Sequence, residues 1–172
     1  MKTFVKYVDS PVGQLTLASD GENLIGLWIK NQKYYGSQFH EFIEKDLPVF
    51  HQVEKWLIDY FQKKNPVIDF QLKPIGTSFR QKVWQQLSTI PYGEVITYDT
   101  LATIIANQTG KKKCAQAIGQ AVGHNPISII IPCHRVVGKD GSLTGYAGGI
   151  DKKIALLEIE RVDLSNFYVP KK

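Results

Sequence analysis

The chain holds two cysteines, Cys114 and Cys133, and only Cys133 adjoins a second reactive group, His134. A free thiol titrates near a pKa of roughly 8.5, so little of it is thiolate at neutral pH, and a good nucleophile needs a nearby base. The isoleucine-rich segment 127–131 (Ile-Ser-Ile-Ile-Ile) before the pair predicts a buried strand that runs straight into Pro132 and the thiol. Neighbours in a strand point to opposite faces, so contact between Cys133 and His134 requires a bend or a bridging water. A small buried hydrophobe beside a satisfied core histidine has the same dipeptide, and the pair alone does not decide. A second clue lies downstream. Leu157, Glu160 and Leu164 fall at i, i+3 and i+7 of a C-terminal helix that Asp151 is placed to cap, which puts a carboxylate on an apolar stripe. A buried carboxylate needs a partner. Cys133, His134 and Glu160 would then follow the logic of nucleophile, base and orienter. Glu160 at the edge of its stripe with its head in solvent is the alternative. Two cysteines are too few for a disulfide framework or a four-cysteine zinc site, so no metal is expected.

These residues must be carried by a scaffold, and 172 residues suffice for one ordinary domain or two small ones. Residues 3–9, 12–19 and 22–30 read as short strands of an antiparallel meander, punctuated by Pro11, Gly13 and Asp20-Gly21. Phe50, Val53, Leu57 and Phe61 recur at spacings of three and four, predicting a helix over about 47–62, with Asp46 placed to cap it. A strand around 67–72 follows, and Pro74-Ile-Gly76 marks the expected boundary between domains 1–75 and 76–172.

Beyond it, Ser78 and Gln81 form a capping-box pattern that opens a helix with Phe79, Val83 and Leu87 on one face. Residues 91–93, Pro-Tyr-Gly, end that segment. Thr97 can cap a second helix carrying Tyr98, Leu101, Ala102 and Ile105, broken by residues 107–110. A third is expected from about Lys112 to Gly123. Two helices joined by a short Gly-containing turn are a helix-turn-helix candidate, though ordinary helical hairpins share that spacing. The third helix is built mostly of small residues, among them Ala115 and Gly119, with Gln116 between them, after Lys111, Lys112 and Lys113. A helix entering a minor groove only about 6 Å wide must be thin, whereas tight helix–helix packing through Ala and Gly explains the same composition.

Charge is unevenly divided. Residues 1–77 carry nine Lys/Arg against nine Asp/Glu, and residues 78–172 carry twelve against seven, so the net charge of +5 belongs to the second half. A basic half suits a polyanionic partner, and solvated surface lysines are the plainer reading. Hydrophobic residues at 43% and charged residues at 22% exclude a disordered or collagen-like chain. The longest apolar run, residues 154–157, is far short of the about 20 a membrane helix needs, so no membrane association is expected. The N-terminus lacks the roughly 7–15-residue apolar stretch of a secretory signal, which makes a cytoplasmic location the expectation.

Taken together, several segments resemble one family. They are residues 76–84 (Gly-Thr-Ser-Phe-Arg-Gln-Lys-Val-Trp), 90–93 (Ile-Pro-Tyr-Gly), Thr97-Tyr98, Asn125-Pro126, 131–137 (Ile-Pro-Cys-His-Arg-Val-Val) and 141–149 (Gly-Ser-Leu-Thr-Gly-Tyr-Ala-Gly-Gly). The chain is similar to the O6-alkylguanine-DNA alkyltransferases, or methylated-DNA-protein-cysteine methyltransferases, densely over about 76–162 and by layout before that. The resemblance implies an α+β fold: an N-terminal ribonuclease-H-like sheet-plus-helix module without catalytic carboxylates, and a mainly helical C-terminal domain with a helix-turn-helix. It implies DNA repair by a single, irreversible transfer of a methyl or larger alkyl group from O6-alkylguanine, and from O4-alkylthymine, to Cys133. His134 would take the thiol proton through a water and Glu160 would orient His134. Asn125 would hold the turn before the active site, and Tyr98 would help rotate the nucleotide and assist the leaving guanine. Pro132, Tyr146, Ala147 and Gly148 match the substrate pocket. Ala115, Gln116, Gly119 and Lys113 fall on the helix expected to enter the minor groove of double-stranded DNA.

The reacting atom of a paired base is reached only after flipping. A thiolate displaces an alkyl carbon directly, so no cofactor is expected. The family pattern has arginine where this chain has Gln116, which bears on nucleotide extrusion and not on the acceptor chemistry. A monomer is expected, with clustering on DNA left open. A non-catalytic DNA-binding module and a turnover cysteine hydrolase are the competing readings.

Overall fold

The computed structural model describes residues 2–36 and 39–170. The chain forms two compact units, one running through residue 75 together with 126–128, the other from 76 to 125 together with 129 onward. The fold is α+β, with a sheet-plus-helix first unit and a mainly helical second one.

In the first unit, β1 (Lys2–Val8), β2 (Leu15–Ser19), β3 (Leu24–Ile29) and β4 (Glu41–Glu44) lie in the order β3-β2-β1-β4. The meander β1-β2-β3 is antiparallel, and its turns are closed by short polar side chains. Ser10 Oγ accepts from Val12 N at 3.2 Å, and Asp20 Oδ1 accepts from Glu22 N and Asn23 N at 3.0 and 2.8 Å. Every residue of β2 and β3 is buried, and Val5, Ala18, Ile25, Trp28 and Phe39 form one core cluster. Strand β4 was hidden in the sequence. All four of its residues are exposed, and it is a strand because it pairs in parallel with β1, Lys2 opposite Glu41 through Val5 opposite Glu44. The expected strand over 67–72 is reduced to a single bridge, Leu24 with Leu72, while Val67 and Ile68 stay exposed. A lone bridge leaves most of that segment's backbone outside the ladder.

Helix α1 (Pro48–Phe61) buries Val49, Phe50, Val53, Trp56, Leu57 and Tyr60 at spacings of three and four. It opens on Pro48, whose missing N–H costs nothing in the first turn. Its cap position is Leu47 without a side-chain bond, and Asp46 does not cap it. Asp46 instead meets Lys6 Nζ at 3.2 Å and His51 Nε2 at 2.8 Å, two side chains that compete for the carboxylate a cap would use.

The second unit contains α2 (Ser78–Leu87), β5 (Ile96–Thr97), α3 (Tyr98–Thr109), α4 (Ala115–Gly123), β6 (Val136–Val137) and α5 (Ile150–Ile159). The cap of α2 is Thr77, one residue before the expected Ser78, and its hydroxyl accepts from Arg80 N at 3.2 Å. Thr97 caps α3 as expected, accepting from Thr100 N at 3.0 Å. That helix runs past the expected break to Thr109 and stops at Gly110 in the left-handed conformation. Helix α4 begins at Ala115 and not near Lys112. Trp84 Nε1 donates to Ala121 O at 2.8 Å and ties α2 to α4. Strands β5 and β6 pair in parallel, and Val137, Leu143 and Leu157 form a second core cluster. Among the described residues, no helix is long and apolar enough to cross a membrane.

Candidate active site

Residues 127–131 are buried, as their composition predicts, but they are not a strand. Ile127 makes one bridge, residues 128–130 turn, and Ile129 has φ of 73°. A β-branched residue at positive φ cannot continue an extended run. The chain then tightens into a 3₁₀ turn, Cys133–Arg135, so that Cys133 and His134 are not neighbours on an extended strand. Cys133 N donates to Ile131 O at 2.8 Å, and Asn125 Nδ2 donates to the same carbonyl at 2.7 Å.

Glu160 is no edge residue. It lies at the C-cap of α5, which ends at Ile159, so the expected helical stripe does not reach Leu164; its side chain, like that of His134, has no solvent exposure. His134 Nε2 stands 2.6 Å from Glu160 Oε2. Arg135 reaches the same carboxylate, Nε to Oε1 at 2.8 Å and Nη2 to Oε2 at 3.1 Å, and Gly93 N donates to Oε1 at 3.1 Å. Residues 90–93 therefore do more than end α2. Ile90 O accepts from Arg135 Nη1 at 2.6 Å, and Tyr92 Oη donates to Ile159 O at 3.1 Å.

Burial works against ionisation of Glu160, but the bonds from His134 and Arg135 outweigh it and hold the carboxyl down to about 2. Burial pushes the His134 imidazole below its ordinary range against the pull of Glu160. The pair is thus an ionised carboxylate and a neutral imidazole. A carboxylate only accepts, so Nε2–H donates and the lone pair is on Nδ1, a buried atom with no hydrogen-bond partner among the described residues. Burial raises the Cys133 thiol, opposed by a hydrogen bond from Asn125 and by the charge of Lys153.

Lys153 is the residue that sequence reasoning missed. It is fully buried on α5, and its ammonium donates to Val136 O at 2.5 Å and Thr144 O at 2.8 Å. Burial lowers it to about 8, with the neighbouring Cys133 pulling the other way. A signal was present, since Lys153, Leu156, Leu157 and Glu160 lie at i, i+3, i+4 and i+7, one stripe with a charge at each end. Asp151, expected to cap α5, is in its first turn. The cap position is Gly149, at φ of 101°, with no side-chain bond.

Tyr98, at the start of α3, donates its hydroxyl to Thr144 O at 3.4 Å, and burial raises it so that the phenol keeps its proton. Pro132 and Tyr146 are buried and Ala147 and Gly148 half-buried, with the Tyr146 ring edge-on to His134 at 6.4 Å between centroids. The loop needs glycine at 145. Gly145 has φ of 79°, and a Cβ there would sit 2.8 Å from the Tyr98 hydroxyl. Gly145→Ala is expected to cost about 1–3 kcal/mol in backbone strain and to lower the melting temperature by several degrees. An unchanged melting curve would mean that the loop relaxes freely.

On α4, Ile118, Ala121 and Val122 are buried while Ala115, Gln116 and Gly119 are exposed. A Cβ on Gly119 would meet nothing within 4 Å, so this glycine thins an outward face and does not serve helix packing. Lys111 and Lys112 are exposed. Lys113 Nζ pairs with Asp99 Oδ1 of α3 at 2.6 Å, an exposed contact that leaves the ammonium two further donors.

A helical unit with an outward small-residue helix, holding a buried thiol beside a carboxylate-anchored histidine, has the groups that acceptor or nucleophilic chemistry at sulfur needs. The family models identify it. The ribonuclease-like domain of 6-O-methylguanine DNA methyltransferase matches residues 4–74, and the DNA binding domain matches residues 78–162. The chain belongs to this family. It is 46% identical over 154 residues to the methylated-DNA–protein-cysteine methyltransferase of Mycobacterium bovis, covering 90% of each chain. It is 42% identical over 161 residues to that of Haemophilus influenzae, covering 92% of this chain and 87% of the relative. The crystal structure of the O6-methylguanine methyltransferase of Mycobacterium tuberculosis matches with a TM-score of 0.78 at 45% identity, over 92% of this chain and 93% of that one. The structure of OGT from the same organism in complex with DNA also matches at 0.78, with 41% identity over 97% and 95% of the two chains.

Proposed function

We propose that this protein repairs DNA by moving the alkyl group of O6-alkylguanine, and of O4-alkylthymine, onto its own Cys133, once per molecule and irreversibly. The observation that carries the reading is Cys133 on a buried helical turn, followed by a histidine whose Nε2 is fixed by an ionised carboxylate and whose Nδ1 is unbonded. The raised thiol is protonated at rest, so its proton leaves during the reaction. It passes through a bridging water to His134 Nδ1. The sulfur forms its bond to the alkyl carbon as the carbon–O6 bond breaks, and the electron pair departs on the guanine. Tyr98, which keeps its proton, stands ready to donate to the leaving base. Asn125 steadies the turn through Ile131 O and the thiol itself. A thioether offers no leaving group of comparable ease, so the thiol is not regenerated. A thiolate displaces an alkyl carbon unaided, and the reading requires no metal or methyl-donor cofactor.

Pro132, Tyr146, Ala147 and Gly148 then form the wall that receives the extruded base, and Ala115, Gln116 and Gly119 face the minor groove of double-stranded DNA. Lys111, Lys112 and Lys113 meet phosphates. Family membership and the solved DNA complex of the Mycobacterium tuberculosis relative support DNA as the partner. The protein acts as a monomer in the cytoplasm.

Incubation with duplex DNA carrying a labelled methyl on guanine O6 tests the reading. One label per chain, on Cys133, is expected. Repeated turnover would make the protein a hydrolase, no uptake a binding module, and label on Cys114 would displace the acceptor.

Gln116 is exposed on α4 and has no charge to bring to a phosphate-lined groove. Extrusion costs a few kcal/mol and least for mispaired bases. Gln116→Arg should therefore speed repair in well-paired duplex several-fold and leave the reaction with free O6-alkylguanine base unchanged. Equal duplex rates would remove residue 116 from extrusion.

A further inference from the structure

Arg135 commits its whole fork to the buried site. Two of its nitrogens hold Glu160 and the third holds Ile90 O, and its side chain is 11% exposed. Glu160 thereby accepts from His134, from Arg135 twice and from Gly93 N. A buried carboxylate facing an imidazole alone favours the imidazolium and raises its pKa against the effect of burial. A carboxylate already matched by a guanidinium, which does not lose its proton, pulls far less. The other groups around His134 act in the same direction or are uncharged. Lys153, from α5, opposes an imidazolium, Cys133 is a protonated thiol, and the Tyr146 ring presents an edge contact.

We infer that Arg135 is a positioning residue, which takes Glu160 as its own ion-pair partner and so keeps His134 a neutral base, setting the lower pH limit of alkyl acceptance. This rests on the reading of Cys133 as acceptor with His134 as its base. The arrangement divides two jobs between two residues. Glu160 orients the ring through Nε2–H, and Arg135 prevents that orientation from protonating the base before substrate arrives.

The test follows single-turnover methyl transfer from an O6-methylguanine duplex, together with the ¹⁵N shifts of His134, from about pH 5 to about pH 9, the range in which histidine titrates. Wild type, Arg135→Gln and Arg135→Lys are compared. In Arg135→Gln the imidazolium should persist to higher pH, and the acid limb of the rate profile should move up by about one pH unit, as loss of a neighbouring charge requires. Arg135→Lys, which restores charge without the fork, should bring the limb back toward wild type. A limb that stays in place in Arg135→Gln while the melting temperature falls makes Arg135 a structural tie to Ile90 and overturns the inference. If Arg135→Gln does not fold, wild type decides: His134 must be a neutral imidazole protonated at Nε2 at about pH 7, and an imidazolium there overturns it. Absence of methyl transfer by wild type at every pH would instead remove the acceptor reading, while the His134 titration still reports on Arg135.

Discussion

Cys133→Ala is expected to take up no labelled methyl from alkylated duplex while it still folds and binds DNA. Truncation removes one buried sulfur, a loss of about 1 kcal/mol on the scale of a buried methylene, and leaves the bonds among His134, Glu160 and Arg135 intact. The outward face of α4 is untouched, so binding should persist. No other group replaces the thiol. Cys114 sits exposed at the start of α4, without the histidine–carboxylate pair that takes the proton from Cys133. The effect is a loss of all transfer and not a slower rate, because the acceptor is consumed as a reactant. Intact-mass measurement after incubation, with a melting curve and a gel shift as controls, decides the matter. A mass gain of one methyl in Cys133→Ala would end the assignment of the acceptor.

Glu160→Gln should be the most destabilising change at the site. Removing one partner of a buried ionic network costs about 3–5 kcal/mol, because the remaining charge is left uncompensated. Here the remaining charge is the Arg135 guanidinium, and the new amide would turn one donor group toward donors on His134, Arg135 or Gly93. The pH dependence carries a sign. Glu160 is depressed in the folded protein from its ordinary 4.5 to about 2, so its contribution is fully present above 4.5 and is lost as pH falls toward 2. That window is worth about 3 kcal/mol by linkage. Urea unfolding of wild type should therefore weaken steeply across it, and the weakening should be shallower in Glu160→Gln. Parallel curves for the two proteins would mean that Glu160 does not carry the acid sensitivity.

How far the fold could be read in advance differs by element. The meander, α1 and α3 were legible because their apolar periods and turn residues act within a few positions: Asp20 closes its turn, Thr97 caps its helix, and Gly110 ends it. Strand β4 was not legible, because its exposed residues have no apolar alternation and only pairing with β1 makes them a strand. Asp46 failed as a cap because its carboxylate had other partners, Lys6 and His51. Residues 127–131 were legible as buried and misread as extended, since burial follows composition while the positive φ at Ile129 follows from where the chain must turn.

The order of residue types along the chain by itself determined the thiol next to an imidazole, the small-residue helix behind three lysines, and the family. These are local patterns or identities, and they need no knowledge of what lies across the molecule. Tertiary structure alone decided which groups share the carboxylate. It brought Arg135, Gly93 and His134 to one side chain from two segments about 40 residues apart, turned Lys113 onto Asp99, and buried Lys153 between Val136 and Thr144. The reason is that a charge removed from water must find its partner wherever packing places one, and packing is settled by contacts distant in sequence.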